Sequence, residues 1–187
     1  MYPSYLMHYG VKGQKWGVRR YQNEDGSYTN LGKSRYRAIK AAKTKKDVDD
    51  IIKTFNQKER SLLGLENKNE EYLSLEQGEH VLKRILLKEG KTPVAFFDLL
   101  DDGDTINVVL GTRSSEKYRG KGYASTAAKK GLEWYEKHKE EYGNKIVVWA
   151  PKLENKASIK IAEKNGFERD ETSISEDGEW INYLKKF

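Results

Sequence analysis

Arg119, Gly120, Lys121 and Gly122 stand together inside the stretch Thr112–Ser125, TRSSEKYRGKGYAS, with the mostly apolar run Ile106–Leu110 before it and a helical pattern behind. A strand, a glycine-bearing turn and a helix start make a place where backbone N–H groups converge. The first turn of a helix leaves its N–H groups without intrahelical acceptors, and the aligned peptide dipoles put partial positive charge there. Gly120 and Gly122 let the backbone come close to a ligand, while Arg119 and Lys121 add full charges. Such a cradle suits phosphates.

Two common phosphate loops do not fit. A nucleotide-triphosphate loop needs GxxxxGK followed by Ser or Thr, but Lys121 is followed by Gly122 and no Gly stands five before Gly120. A dinucleotide fingerprint needs Gly where Ser125 stands. What remains is Arg119-x-x-Gly122-x-Ala124.

The elements that must position this loop are readable from periodicity. Val48, Ile51, Ile52 and Phe55 have helical spacing, which predicts a helix over Asp47–Leu65 with a polar loop over 66–78. His80–Lys88, Thr92–Leu100 and Thr105–Thr112 read as strands joined by short Gly-bearing turns, hence antiparallel hairpins. Ala124, Ala127, Ala128, Leu132 and Tyr135 mark one face of a helix running to about Glu141, with Gly143 as its cap. Lys145–Ala150 is short, apolar and β-branched, as in a strand covered on both faces. Asn155 is placed to N-cap a second helix that stops at Asn165-Gly166-Phe167. Two closing strands are expected near Phe167–Ser173 and Glu179–Lys185. The order αβββαβαββ predicts an α/β (α+β) domain, a mixed sheet with flanking helices and one parallel strand–helix–strand unit across 105–150.

Composition narrows the function. The chain of 187 residues suits one domain over 47–187 plus an appendage. It has no cysteine, so disulfides, thiolate metal sites and a cysteine nucleophile are excluded, and three scattered histidines suggest no metal site. No apolar run approaches the ~20 residues of a membrane span. The opening MYPSYLMHYG lacks the pattern of a secretory signal, so a cytoplasmic setting is expected. The net charge of +6 is uneven: residues 1–46 hold eleven Lys/Arg and two acids (+9), the rest 24 Lys/Arg and 27 acids (−3). Residues 1–46 therefore read as a basic, aromatic-rich arm, with a small hairpin expected across Tyr21–Tyr28 and a lysine-rich, helix-permissive linker over Ser34–Lys46. Nucleic acid is expected to bind only through this arm, if at all.

Two resemblances add to this reading. Arg119-x-x-Gly122-x-Ala124 resembles the [Q/R]-x-x-G-x-[G/A] motif of the GNAT acetyltransferases. Asn155-Lys-Ala-Ser158 followed by Glu163-Lys-Asn-Gly166-Phe167, 36 residues beyond Arg119, is similar to the same family's N-x-x-S…EK-x-GF segment. The resemblance implies that Arg119, Gly120, Lys121, Gly122, Tyr123, Ala124 and Ser125 hold the pyrophosphate of acetyl-CoA. It further implies that backbone groups of Thr112, Arg113 and Ser114 meet the pantetheine arm, and that Asn155, with Ser158 nearby, faces the pantetheine or the acetyl transfer point. The implied reaction is attack of a neutral primary amine on a thioester, which needs a proton acceptor and donors for the developing oxyanion. The acceptor stays open among a small amine, an amino acid and a protein lysine or N-terminus.

This sequence departs from the family where Ala162 replaces a common Tyr and where Asn107-Val108-Val109 lacks a strand carboxylate. Asp98, Asp104, Glu154 and Tyr123 are the remaining candidates for proton transfer, and the acidic turn Asp101–Asp104 for attracting a cationic acceptor. Separately, His8–Arg20 resembles a segment opening assorted phage and prophage proteins of Gram-positive bacteria. It implies a phage or host protein partner for residues 1–46, or virion association. A non-catalytic CoA-binding or interaction module tethered by that arm is the alternative reading.

Overall fold

A computed structural model describes residues 22–23, 25–65, 72 and 80–187. Most of the arm, including the phage-like segment and Tyr21, lies outside them, as does nearly all of the loop expected over 66–78. The small hairpin is present in its described part, where Gln22 bridges Tyr28 and Gly26 takes a positive φ of 85° at the turn.

Helix α1 spans Asn30–Ile52. The Thr29 hydroxyl accepts from the Gly32 N–H at 3.0 Å and so caps it. Ala, Lys and Arg, all strong helix formers, make up half of its first twelve residues. Ala41, Val48, Ile51 and Ile52 are buried on one stripe. The linker expected over Ser34–Lys46 is thus helix, and α1 runs across the boundary expected after Lys46. Lysine-rich composition concealed a narrow contact face on which, among the described side chains, Ala41 is buried. The helix expected to continue to Leu65 instead breaks after Ile52. Asn56 starts a new capping box with Glu59, opening the short helix α2 (Gln57–Ser61).

The other elements fall close to expectation: β1 (Val81–Glu89), β2 (Thr92–Asp101), β3 (Thr105–Thr112), α3 (Tyr123–His138), β4 (Ile146–Trp149), α4 (Lys156–Lys164), β5 (Glu168–Ile174) and β6 (Ile181–Lys185). A 3₁₀ turn, Lys139–Tyr142, extends α3 to Gly143, whose φ is +71°. The six strands lie in the order β1-β2-β3-β4-β6-β5, and only β3 and β4 are parallel. This is the mixed, mostly antiparallel sheet flanked by helices that the sequence predicts.

The two faces of the sheet carry different cores. Ala95, Phe97 and Leu99 of β2 point to the α3 and α4 side and join Leu132, Tyr135, Trp149 and Phe167. Phe96 points the other way, into a smaller cluster with Val48, Ile51, Ile52, Leu65 and Tyr72. This is the period-2 alternation of a strand covered on both faces. Two glycines make room for rings: a Cβ at Gly131 would stand 2.3 Å from Phe97, and one at Gly111 2.3 Å from Phe96. Burying each large side chain of these clusters contributes about 1.5–3 kcal/mol.

Candidate functional site

β3 and β4 are paired over Thr105–Asn107 with Ile146–Val148 and nowhere further along β3. Beyond Asn107 the strands part, while β3 stays paired to β2 as far as Thr112. The Arg113 N–H donates to the Val94 carbonyl at 2.9 Å. Backbone direction alternates along a strand, so Leu110 and Thr112 turn their N–H and C=O groups into the gap that β4 has left. A cleft lined by free strand-edge groups results.

The chain leaves that cleft through Ser114 and a 3₁₀ turn, Glu116–Tyr118, into the glycine loop. Gly120 and Gly122 have φ of +72° and +75°, values a side chain resists. Gly122 is the residue before α3 and supplies no capping side chain. The first intrahelical bond is Thr126 N–H to the Gly122 carbonyl, 2.9 Å, so the N–H groups of Tyr123, Ala124 and Ser125 have no helical acceptor. They lie at the positive end of a 16-residue helix.

The cations of the loop are held by carboxylates. Arg119 Nη2 donates to Glu59 at 2.9 Å and its Nε to the Ser114 carbonyl at 2.8 Å. The Ser114 hydroxyl donates to both Glu59 oxygens at 2.6 Å. Lys121 pairs with Glu89 at 3.3 Å, and the Tyr123 hydroxyl donates to the same carboxylate. The hydrogen bond from Tyr123, with Lys121 beside it, holds the Glu89 carboxyl below its usual range, and that acceptor pushes the Tyr123 hydroxyl up.

Of the residues expected at the pantetheine arm, Thr112 meets the expectation most directly. The Arg113 and Ser114 N–H groups are already engaged, the latter with Thr54 Oγ1 at 3.0 Å. The Arg113 guanidinium also bonds the Pro93 carbonyl at 2.9 Å and pairs with Asp50. Asn155 caps α4, accepting from the Ser158 N–H at 3.1 Å, and the Ser158 hydroxyl accepts from Trp149 Nε1 at 3.0 Å. Both therefore stand past the end of β4, on the far side of the cleft from Thr112. Among the described residues no side-chain contact joins them to the glycine loop.

The proton-transfer candidates separate cleanly. Asp98 is fully buried on the α1 face, in a bidentate pair with Arg84 (2.7 and 2.6 Å) and accepting from Tyr72 at 3.0 Å. Burial pushes its carboxyl up while Arg84 and Tyr72 pull the other way. It anchors α1, because Arg84 also bonds the Ala41 carbonyl at 3.2 Å. Asp104 opens β3 at the end remote from the loop, about 25 Å along the strand. The acidic turn that was expected to attract an acceptor lies there too, with Asp101 bound to Lys145 at 2.6 Å. Tyr123 stands in the loop. Glu154 stands at the mouth of the cleft, 3.5 Å from Lys58. Ala162 is fully buried, so the common tyrosine position is packing in this protein.

Sequence reading missed α2 as a bridge. Its Glu59 reaches the β3 side, while Ser61 accepts from Lys152, past β4, at 3.1 Å. The short helix thus spans the cleft mouth. The Asn56-x-x-Glu59 capping box was visible in the sequence, but its partners Ser114 and Arg119 lie 55 and 60 residues away.

A family model of the acetyltransferase (GNAT) domain matches residues 18–168, and a family of unknown function (DUF7211) matches residues 2–23. Curated proteins yield no match. Among solved structures, a GNAT-family acetyltransferase of Bacillus anthracis is 19% identical, with a TM-score of 0.50, over 77% of this chain and 89% of that one. An acetyltransferase of Agrobacterium tumefaciens is 18% identical, with a TM-score of 0.45, over 56% of this chain and 60% of that one. The yncA protein of Salmonella typhimurium, solved with its cofactor acetyl-CoA, is 16% identical, with a TM-score of 0.41, over 54% of this chain and 60% of that one. The chain thus spans about 60% of the length of the latter two. A family that uses acetyl-CoA is matched by its model over 18–168, most of the 187 residues, and the mixed, mostly antiparallel sheet agrees with it: the chain belongs to the GNAT acetyltransferase family.

Proposed function

We propose that this protein transfers an acetyl group from acetyl-CoA to a primary amine. The observation that carries the reading is the uncapped N-terminus of α3, opened by Gly122 beside the unpaired edge of β3. The N–H groups of Tyr123, Ala124 and Ser125, with Gly120 and Gly122 shaping the turn, would bind the pyrophosphate, and Arg119 and Lys121 would neutralise it. Leu110 and Thr112 would pair their edge groups with the amide-bearing arm, as an added strand does. Bound acetyl-CoA supplies an activated acyl carbon; the chain's own groups orient it and manage the protons.

Glu154 and Glu59, at the cleft mouth, are the carboxylates placed to attract a cationic amine, and Glu154 is assigned to take its proton through water. The Tyr123 hydroxyl, protonated at neutral pH, is the donor nearest the loop. Asn155 and Ser158 would fix the β4 side of the cleft. The acceptor class is a small or protein-borne primary amine, in the cytoplasm of a host cell. A tether through residues 1–46 to a phage or host protein would follow from the resemblance of the opening segment.

Thermal unfolding with saturating acetyl-CoA tests this directly. The melt should rise by several degrees, since a ligand bound only by the native state stabilises by RT ln(1 + [L]/Kd). Ser125→Glu places an acid in the first turn of α3, which suits the helix but repels a pyrophosphate, and should abolish the shift while leaving the protein folded. No shift in the wild type would sink the reading.

A further inference from the structure

A groove of about 630 Å³ lies between the N-terminal half of α1, the start of edge strand β1 and the C-terminal end of α3. It is distinct from the glycine loop. From Arg84, which lines the groove, to Glu89, which touches Lys121 and Tyr123, is about 17 Å along β1.

Lys33, Arg37, Lys40 and Lys43 of α1 and Lys83 of β1 line this groove. Three neighbouring cations are matched: Arg84 by Asp98, Lys45 by Asp49 and Lys88 by Asp47. The five are not; among the described residues none forms an ion pair, although Glu141 also lines the groove. Lys83 is held below its usual range by partial burial and by the charge of Lys40. The α1 cations recur every three or four residues, a row with a charge about every 4.5–6 Å over some 15 Å. A single phosphate or carboxylate would answer one or two of them. A polyanion answers the row.

Rings alternate with the charges. Tyr28 and Tyr36 stack at 5.7 Å and are 44% and 45% exposed, large areas for aromatic residues. Lys40 lies over Tyr36 (4.5 Å), Arg37 over Tyr142 (5.7 Å) and Lys83 over Trp134 (5.2 Å). An acidic peptide would satisfy the cations and leave the tyrosine faces unused; unpaired bases would use both. We propose that this groove binds single-stranded nucleic acid, with phosphates along the α1 row and bases against Tyr28 and Tyr36.

The test is fluorescence anisotropy of labelled 12-nucleotide oligo(U) and oligo(dT) with the full chain, titrated at several salt concentrations. Arg37→Gln, Lys40→Gln and Lys83→Gln combined should weaken binding at least about tenfold and lower the log–log salt slope by about 2, near 0.7 per cation removed. Lys33→Gln with Lys43→Gln, both exposed positions, gives a second reading with a slope change of about 1.4. Tyr36→Ala should weaken binding severalfold and leave the slope unchanged. Wild-type affinity and slope in the lysine and arginine variants would overturn the proposal and move the contact to the basic residues of 1–21. Equal competition by a 12-residue oligoglutamate would overturn it too, making the groove a site for acidic peptide.

Discussion

The two faces of the sheet hold their helices in different ways. Under α3 and α4 the contact is mainly apolar: Phe97, Trp149 and Phe167 meet edge to face at 5.8 and 5.5 Å, with Ala127, Ala128 and Leu132 buried against them, and neutral hydrogen bonds such as Trp149 to Ser158 add to it. Under α1 the apolar cluster is small, and carboxylate pairs supply the rest: Asp98 with Arg84, Asp50 with Arg113, and Glu59 with Ser114 and Arg119. Non-directional packing makes α3 a fixed platform, and the glycine loop at its N-terminus inherits that position. Directional pairs hold α1 and α2 by a few contacts that a ligand or a proton can exchange. On the proposed function, the side that would admit an acceptor is the polar one.

Breaking the polar side at its deepest point should give the largest effect. Asp98→Ala leaves Arg84 buried and unpaired, and breaking such a pair costs about 3–5 kcal/mol. Urea unfolding measures it; a loss under about 1 kcal/mol would mean that α1 is held by its apolar stripe alone. The apolar side is probed by Gly131→Ala. The new methyl would stand 2.3 Å from the fully buried Phe97 ring, and overpacking costs about 1–3 kcal/mol against a helix-propensity gain of about 1. A net loss of up to about 2 kcal/mol is expected; a stabilised variant would show that this face yields.

The smallest effect is the one most diagnostic of carboxylate pairing. Glu89 has its folded pKa lowered by Tyr123 and Lys121. Its contribution is therefore present above the ordinary carboxylate pKa and is lost as pH falls through the lowered folded value. Glu89→Gln should melt below the wild type at pH 7, and the difference should shrink as the pH falls through the lowered folded value of Glu89. A gap that does not change with pH would mean that the carboxylate charge is not what ties the loop to β1.

Much of this was legible in the chain. The strands over 81–112 came from alternation and Gly-bearing turns, and α3, β4 and α4 from spacing with Gly143, Asn155 and Gly166 as stops. These are local signals, fixed by backbone geometry within a few residues. The first 23-residue helix was half hidden because, among the side chains described over 33–46, Ala41 is the buried one and no apolar stripe is evident in the lysine-rich sequence.

The sequence by itself determined where the glycine turn and the open helix start would form, because φ near +75° at Gly120 and Gly122 and a helix start are properties of adjacent residues. It also determined the family, through motifs that lie on those same local elements. Only the tertiary structure decided which charges meet them. It sent Asp98 into the core, set Asp104 at the wrong end of β3, brought Glu59 across 60 residues to Arg119, and opened the cleft by parting β3 from β4 after Asn107. Pairings between distant residues depend on strand order and register, which no local pattern encodes.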